Sequence, residues 1–239
     1  MDTTERVFRW EAQREVKNLM GRYTRALLHK EEGAVPDRFW SHREDVSLGL
    51  NEGWYRGQDS VRGYYGWFEQ KTECTDGIMK QLFPQIPAEH RGIGYLEMKS
   101  LSSDLVEIAG DGQSARGMWN CAGQKVDYTP AGPVTFLTYG TYFVDFVRED
   151  GQFRILNMQY LEEICHPQGQ KWWEAPKVLP EMAEFALLKE MTPPEPDIPQ
   201  QLWERYRTDR PMPELPPAPE PYETLGDTFS YGISQEVWL

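Results

Sequence analysis

Gly140-Thr141-Tyr142-Phe143-Val144-Asp145-Phe146-Val147-Arg148-Glu149-Asp150-Gly151-Gln152-Phe153-Arg154-Ile155 is the stretch on which the fold turns. Aromatic and β-branched residues crowd both sides of Glu149-Asp150-Gly151, a turn sequence. Two such runs joined by a tight turn read as a β-hairpin. Strand side chains alternate between faces. Tyr142, Val144 and Phe146 therefore share one side, and in the returning strand Phe153, Ile155, Asn157 and Gln159 share a side.

The same logic extends toward the N-terminus. Residues 94–101, 105–109 and 115–122 have strand character, with a second turn at Gly110-Asp111-Gly112. With 135–148 and 153–161 they make an antiparallel meander. Ahead of it, residues 8–30 form a helix whose apolar stripe is Val16, Leu19, Met20, Tyr23 and Leu27. A short helix starts near Pro36, a short strand covers 46–50, and Asn51-Glu52-Gly53 turns the chain. A third helix over 58–71 carries Val61, Tyr64, Tyr65 and Phe68 on one side; 72–93, with Pro84 and Pro87, reads as a loop over a pocket mouth. Helices followed by a meander predict an α+β layer fold, with helices covering one face of a curved antiparallel sheet.

Composition bounds the function. The 239 residues suit one core domain, 1–165, and a long extension, 166–239. Thirteen of the eighteen prolines lie in that extension, together with Trp172, Trp173, Trp203, Tyr206, Tyr222, Phe229, Tyr231 and Trp238. Disordered tails are poor in aromatics. The extension is therefore expected as an ordered strap on its own or a neighbouring subunit, with one helix over 180–191. The net charge of −13 opposes binding to a nucleic-acid backbone. Cys74, Cys121 and Cys165 are scattered, without metal or disulfide spacing. No leader and no membrane-length apolar run is visible, so a cytoplasmic protein without a membrane partner is expected. A P-loop, GxGxxG, HExxH and a serine elbow are all missing, and Gly110-Asp111-Gly112 is a hairpin turn.

Three stretches carry a family resemblance: Arg22-Tyr23-Thr24-Arg25-Ala26-Leu27-Leu28-His29; Phe39-Trp40-Ser41-His42-Arg43-Glu44-Asp45-Val46 followed by Tyr55-Arg56-Gly57; and the hairpin quoted above. In order and spacing they resemble the SnoaL-like branch of the nuclear-transport-factor-two superfamily. The resemblance implies a cone of sheet and helices around an apolar pocket, no metal or organic cofactor, an aromatic small-molecule substrate, and a homo-oligomer, trimer or dimer. Its relatives include dehydratases, ketosteroid isomerase and polyketide cyclases. The long extension is similar to that of bacterial diarylpropane lyases, which release formaldehyde. Fold does not fix function. A lyase working by acid–base elimination leads; an isomerase or cyclase, or a non-catalytic aromatic binder, stands as the alternative.

The resemblance also indicates site positions. Tyr23 matches a dehydratase tyrosine. The expected acid falls on Leu28, with His29 beside it as a replacement, and the strand histidine falls near Lys99. A lysine inside an apolar cone is a usable acid or base. The catalytic candidates are thus Tyr23, His29 and Lys99. The substrate-binding candidates are Tyr55, Tyr65, Trp119, Tyr142, Asn157 and Gln159. Trp119 is either a pocket wall or core packing. Asn157 and Gln159, taken as inward amides, orient a substrate hydroxyl or bond a neighbouring side chain. His90 is placed near the mouth, Arg56 is a candidate anion anchor or a surface-paired residue, and His42 and His166 are read as structural or exposed.

Overall fold

The computed structural model describes residues 2–87, 89–129, 132–171, 193–199, 205–209, 211 and 214–233. The helix expected over 180–191, and Trp172, Trp173, Trp203 and Trp238, lie outside the described residues.

Helix α1 spans Thr3–Leu28, started by Asp2, whose carboxylate accepts from the Glu5 amide at 2.8 Å. Ala12, Val16, Met20, Tyr23 and Ala26 are buried at three- and four-residue spacing. The helix ends in a Schellman closure: the Lys30 amide donates to Leu27 O (3.1 Å) and the Glu31 amide to Ala26 O (3.0 Å). Lys30 takes the left-handed position, φ 59°, usually given to glycine because a Cβ there costs about 1–2 kcal/mol. Its stem and ammonium are buried, with Nζ 3.5 Å from the centre of the Tyr95 ring.

Helix α2 (Val35–Phe39), strands β1 (Ser47–Leu50) and β2 (Gly53–Arg56), and helix α3 (Gly57–Leu82) follow. Helix α3 runs well past the expected 58–71. Its second half buries Thr72, Asp76 and Met79, a helical stripe in which two of three members are polar, so the apolar period fades. Asp76 is held by the Ile93 amide, 2.9 Å from Oδ1. Strands β3 (Leu96–Ile108), β4 (Ser114–Thr129), β5 (Gly132–Glu149) and β6 (Gln152–Pro167) form the meander, and the two-residue β7 (Ile198–Pro199) adds an edge. The sheet order is β3-β4-β5-β6-β1-β2-β7, antiparallel except that β1 runs parallel to β6. The α+β cone is as expected: helices and sheet enclose one apolar core in which Met20, Trp40, Phe146, Ile155 and Met158 are buried. Among the described residues, no helix is long and apolar enough to cross a membrane.

Two bulges in β6 decide which side chains enter the cone. Phe146 pairs with Ile155 but Asp145 with Asn157, so Leu156 is an extra residue; Tyr139 pairs with Ile164 but Gly140 with Glu162, so Glu163 is another. Each extra residue swaps the two faces of the strand.

Residues 214–233 pack on the outer face of the same sheet. Tyr222 O accepts from the Gly110 amide at 2.9 Å, and the Tyr231 ring lies 5.4 Å from that of Phe143. Between strap and sheet sits a wholly buried ion pair, Arg116 Nε to Asp145 Oδ1 at 3.2 Å. Asp145 Oδ2 also accepts from Asn157, the Ser230 hydroxyl and the Tyr231 amide. Arg116 donates to Leu225 O (2.9 Å) and to Thr228, and its guanidinium lies 4.2 Å from the Tyr222 ring centre.

Candidate active site

The cone holds a cavity of about 280 Å³. From α1, Tyr23 and Leu27 face it; from α3, Tyr64, Tyr65, Trp67 and Phe68; from the sheet, Glu97, Lys99, Tyr142, Met158 and Tyr160. The walls are aromatic because α3 places Tyr64, Tyr65 and Phe68 within about one turn, while Tyr142 and Tyr160 are direct cross-strand partners. The last two rings stack at 4.4 Å.

Lys99 is the centre of the polar constellation. Its Nζ donates to the Tyr142 hydroxyl at 3.2 Å, lies 3.0 Å from Glu97 Oε1, and sits 4.2 Å from the centre of the Tyr160 ring. Burial opposes the ammonium, but the neighbouring Tyr142 and Glu97 outweigh it and hold Lys99 charged. Burial also opposes the Glu97 carboxylate; Lys99, Lys125 and the Tyr95 hydroxyl, 2.8 Å from Oε2, nevertheless bring it down to about 2. On the opposite wall the Tyr23 and Tyr65 hydroxyls share a hydrogen bond of 2.9 Å. Burial raises the tyrosines: Tyr65 to about 12, and Tyr23 and Tyr142 well above the usual phenol value. At neutral pH the inner end of the site therefore presents neutral phenols beside the paired Lys99 ammonium and Glu97 carboxylate. Because Lys99 donates to the Tyr142 oxygen, the proton of that hydroxyl is left for an acceptor in the cavity. Such an array stabilises charge developing on a ligand oxygen and can protonate a leaving group.

Of the residues singled out in the sequence, Tyr23, Tyr65, Lys99 and Tyr142 meet in the cavity. The other five do not line it. His29 caps the end of α1 and is exposed; the same turn sends Leu27 inward instead. Tyr55 lies behind Tyr64, ring centres 5.0 Å apart, and donates to Pro194 O at 2.8 Å. Trp119 packs edge-on against Phe146 at 6.1 Å and covers Gly117, where a Cβ would fall 2.2 Å from its ring, so it is core. Asn157 and Gln159 face away from the cone because the Leu156 bulge reverses β6: Met158, Tyr160 and Glu162 point in, and Asn157 serves Asp145 and Ser230 outside. His90 and Arg56 are exposed, His42 is exposed 3.2 Å from Glu149, and His166 is buried.

Sequence reasoning missed Glu97, although its signal was present: Glu97 and Lys99 are two apart on one strand and so share a face. It also missed Glu32, in the short 3₁₀ turn Glu32–Ala34. Glu32 is fully buried, and neither carboxylate oxygen has a hydrogen-bond partner on another residue. Burial raises it to about 7. A carboxyl with a higher pKa folded than unfolded contributes stability that is full below about pH 4.5 and is lost as pH rises through about 7, roughly 3 kcal/mol in all. Glu32→Gln is expected to remove this decline. Urea unfolding of both proteins at pH 5 and pH 8 measures it, and parallel losses in the two would show that Glu32 is not the source.

The fold and site define a cone-type pocket protein, and comparison places it. The SnoaL-like domain family model matches residues 9–159, and the chain belongs to that family. No curated protein matches. Among solved structures the chain is similar to a hexachlorocyclohexane dehydrochlorinase, LinA type 2 (13% identity, 72% of this chain and 99% of that one, TM-score 0.47). It is also similar to a nuclear transport factor 2-like superfamily protein of Salmonella enterica (14%, 63% and 89%, 0.46) and to Aln2 of a Streptomyces species (14%, 64% and 91%, 0.43).

Proposed function

We propose that the protein is a lyase that eliminates from a bulky phenolic compound by acid–base chemistry, with a diaryl propanediol as substrate and formaldehyde as one product. The observation that carries the reading is the Tyr142–Lys99–Glu97 row facing the Tyr23–Tyr65 pair across an aromatic cavity. A para-hydroxyphenyl ring enters between these donors. The benzylic hydroxyl leaves as water with a proton from Tyr142, the phenol releases its proton to solvent, from which it is later recovered, and a quinone methide forms. The primary hydroxyl then returns a proton to the Tyr142–Lys99 row. Its carbon departs as formaldehyde, and the electron pair of the broken carbon–carbon bond restores the aromatic ring. The phenol regains its proton. The sum is diol to stilbene, water and formaldehyde, with no net proton consumed. An isomerase or cyclase needs a carboxylate base of moderate pKa; Glu97 is inward but is held down by Lys99, which favours elimination.

The test is incubation of the purified chain with such a diol, following stilbene absorbance and trapped formaldehyde. Tyr23→Phe removes one donor of the Tyr23–Tyr65 pair and is expected to lower kcat about 10²-fold, while His29→Ala leaves turnover within about twofold. Appearance of neither product would sink the formaldehyde-releasing version, and unchanged turnover in Tyr23→Phe would sink the role of the pair.

A further inference from the structure

Four residues that line the cavity, Tyr160, Glu162, Cys165 and Arg205, lie beyond the family match, which ends at residue 159. Arg205 is the farthest and comes from the extension. It is placed by three features. Glu162 faces the cavity by alternation from Tyr160, and the Glu163 bulge follows it, with Glu163 bonded to Thr141 on the other face. The Glu163 carbonyl accepts from the Tyr206 amide at 3.0 Å, fixing the strap there. Glu162 Oε1 accepts from Arg205 Nη2 at 2.8 Å. Glu162 is itself tied to the β1–β2 turn: Asn51 Nδ2 donates to its carbonyl at 2.9 Å, and its amide donates to Asn51 Oδ1 at 2.8 Å. The guanidinium makes no other hydrogen bond to the described residues, and Arg205 is part of the cavity lining. A guanidinium offers five donors in a fixed plane and binds oxygen acceptors directionally.

We infer that Arg205 is a specificity-determining residue that reads an oxygen substituent on the outer ring of a two-ring phenolic ligand. The inference rests on the reading above, in which the para-hydroxyphenyl ring is held between the Tyr142–Lys99 row and the Tyr23–Tyr65 pair. Selectivity in this chain then resides in a residue outside the family domain, delivered to the mouth by the strap.

Binding of two probes, 4-hydroxystilbene and 4,4′-dihydroxystilbene, tests it by fluorescence titration without turnover. The wild type is expected to prefer the dihydroxy compound about tenfold, the scale of one hydrogen bond to a charged group at a half-open site. Arg205→Met is expected to abolish that preference and to change affinity for 4-hydroxystilbene by less than about threefold. Arg205 is exposed, so this variant is expected to keep the wild-type melting temperature. Equal affinity of the wild type for the two probes, or equal loss of both in Arg205→Met, overturns the role of Arg205 while leaving the inner site intact. Failure of the wild type to bind either probe removes the inference together with the phenol-binding reading beneath it.

Discussion

Lys99→Met is expected to lower kcat/KM for the diol by roughly 10³-fold, the combined scale of an acid catalyst and an oxyanion donor. The reason is positional. Lys99 makes the only charged contact of the Tyr142 hydroxyl among the described residues, and its ammonium lies over the stacked Tyr142 and Tyr160 rings. Methionine keeps the length and apolar stem of lysine, so the cavity keeps its shape. The charge on Glu97 then loses its nearest partner, and its carboxyl is expected to rise from its present low value, since burial already pushes it upward. Product formation by steady-state kinetics, with the melting temperature as a check on folding, measures the effect. A loss of less than about threefold with an unchanged melting temperature would remove Lys99 from the chemistry. Arginine at this position is not a substitute: it carries the charge, but its planar fork does not reproduce the point contact with Tyr142.

The largest stability effect is expected at Asp145. Asp145→Ala leaves the Arg116 guanidinium wholly buried without its counter-ion and withdraws the acceptor used by Asn157, Ser230 and the Tyr231 amide. Breaking a buried pair from one side costs about 3–5 kcal/mol. For a chain of this size that corresponds to a fall of about 6–20 °C in melting temperature. The double variant Arg116→Met/Asp145→Leu should recover the part of the loss due to the unpaired charge, because an apolar pair replaces both charges, while Asn157, Ser230 and the Tyr231 amide still lack their acceptor. Thermal and urea unfolding measure both. A single variant within about 1 kcal/mol of wild type would mean that the strap site is hydrated.

Much of this architecture is legible in the sequence. The two turns, the meander and the stripe on α1 follow from residue pattern alone; the inward side of Tyr142 follows from the family resemblance, and it holds because the extra residues of both bulges lie in β6 while β5 keeps its alternation. Past Leu156 the alternation fails, because a bulge is made by pairing with β5 and leaves no mark in the local residues; Asn157 and Gln159 take the face opposite to the expected one for that reason. The second half of α3 is hidden by Thr72 and Asp76, polar residues on its buried side. His29 falls one step beyond the last inward turn of α1. Glu97 is readable from its two-residue spacing to Lys99, but Arg205 is not, since its arrival depends on where a proline-rich segment crosses the sheet.

The clasp on the outer face has a consequence for maturation. Strands β3–β6 are synthesised before Ser230 and Tyr231, so a chain made only that far has Asn157 for Asp145 but lacks the Leu225, Thr228, Ser230 and Tyr231 partners of the pair. Covering the rear of the Arg116–Asp145 pair thus waits on the last residues of the strap to be synthesised.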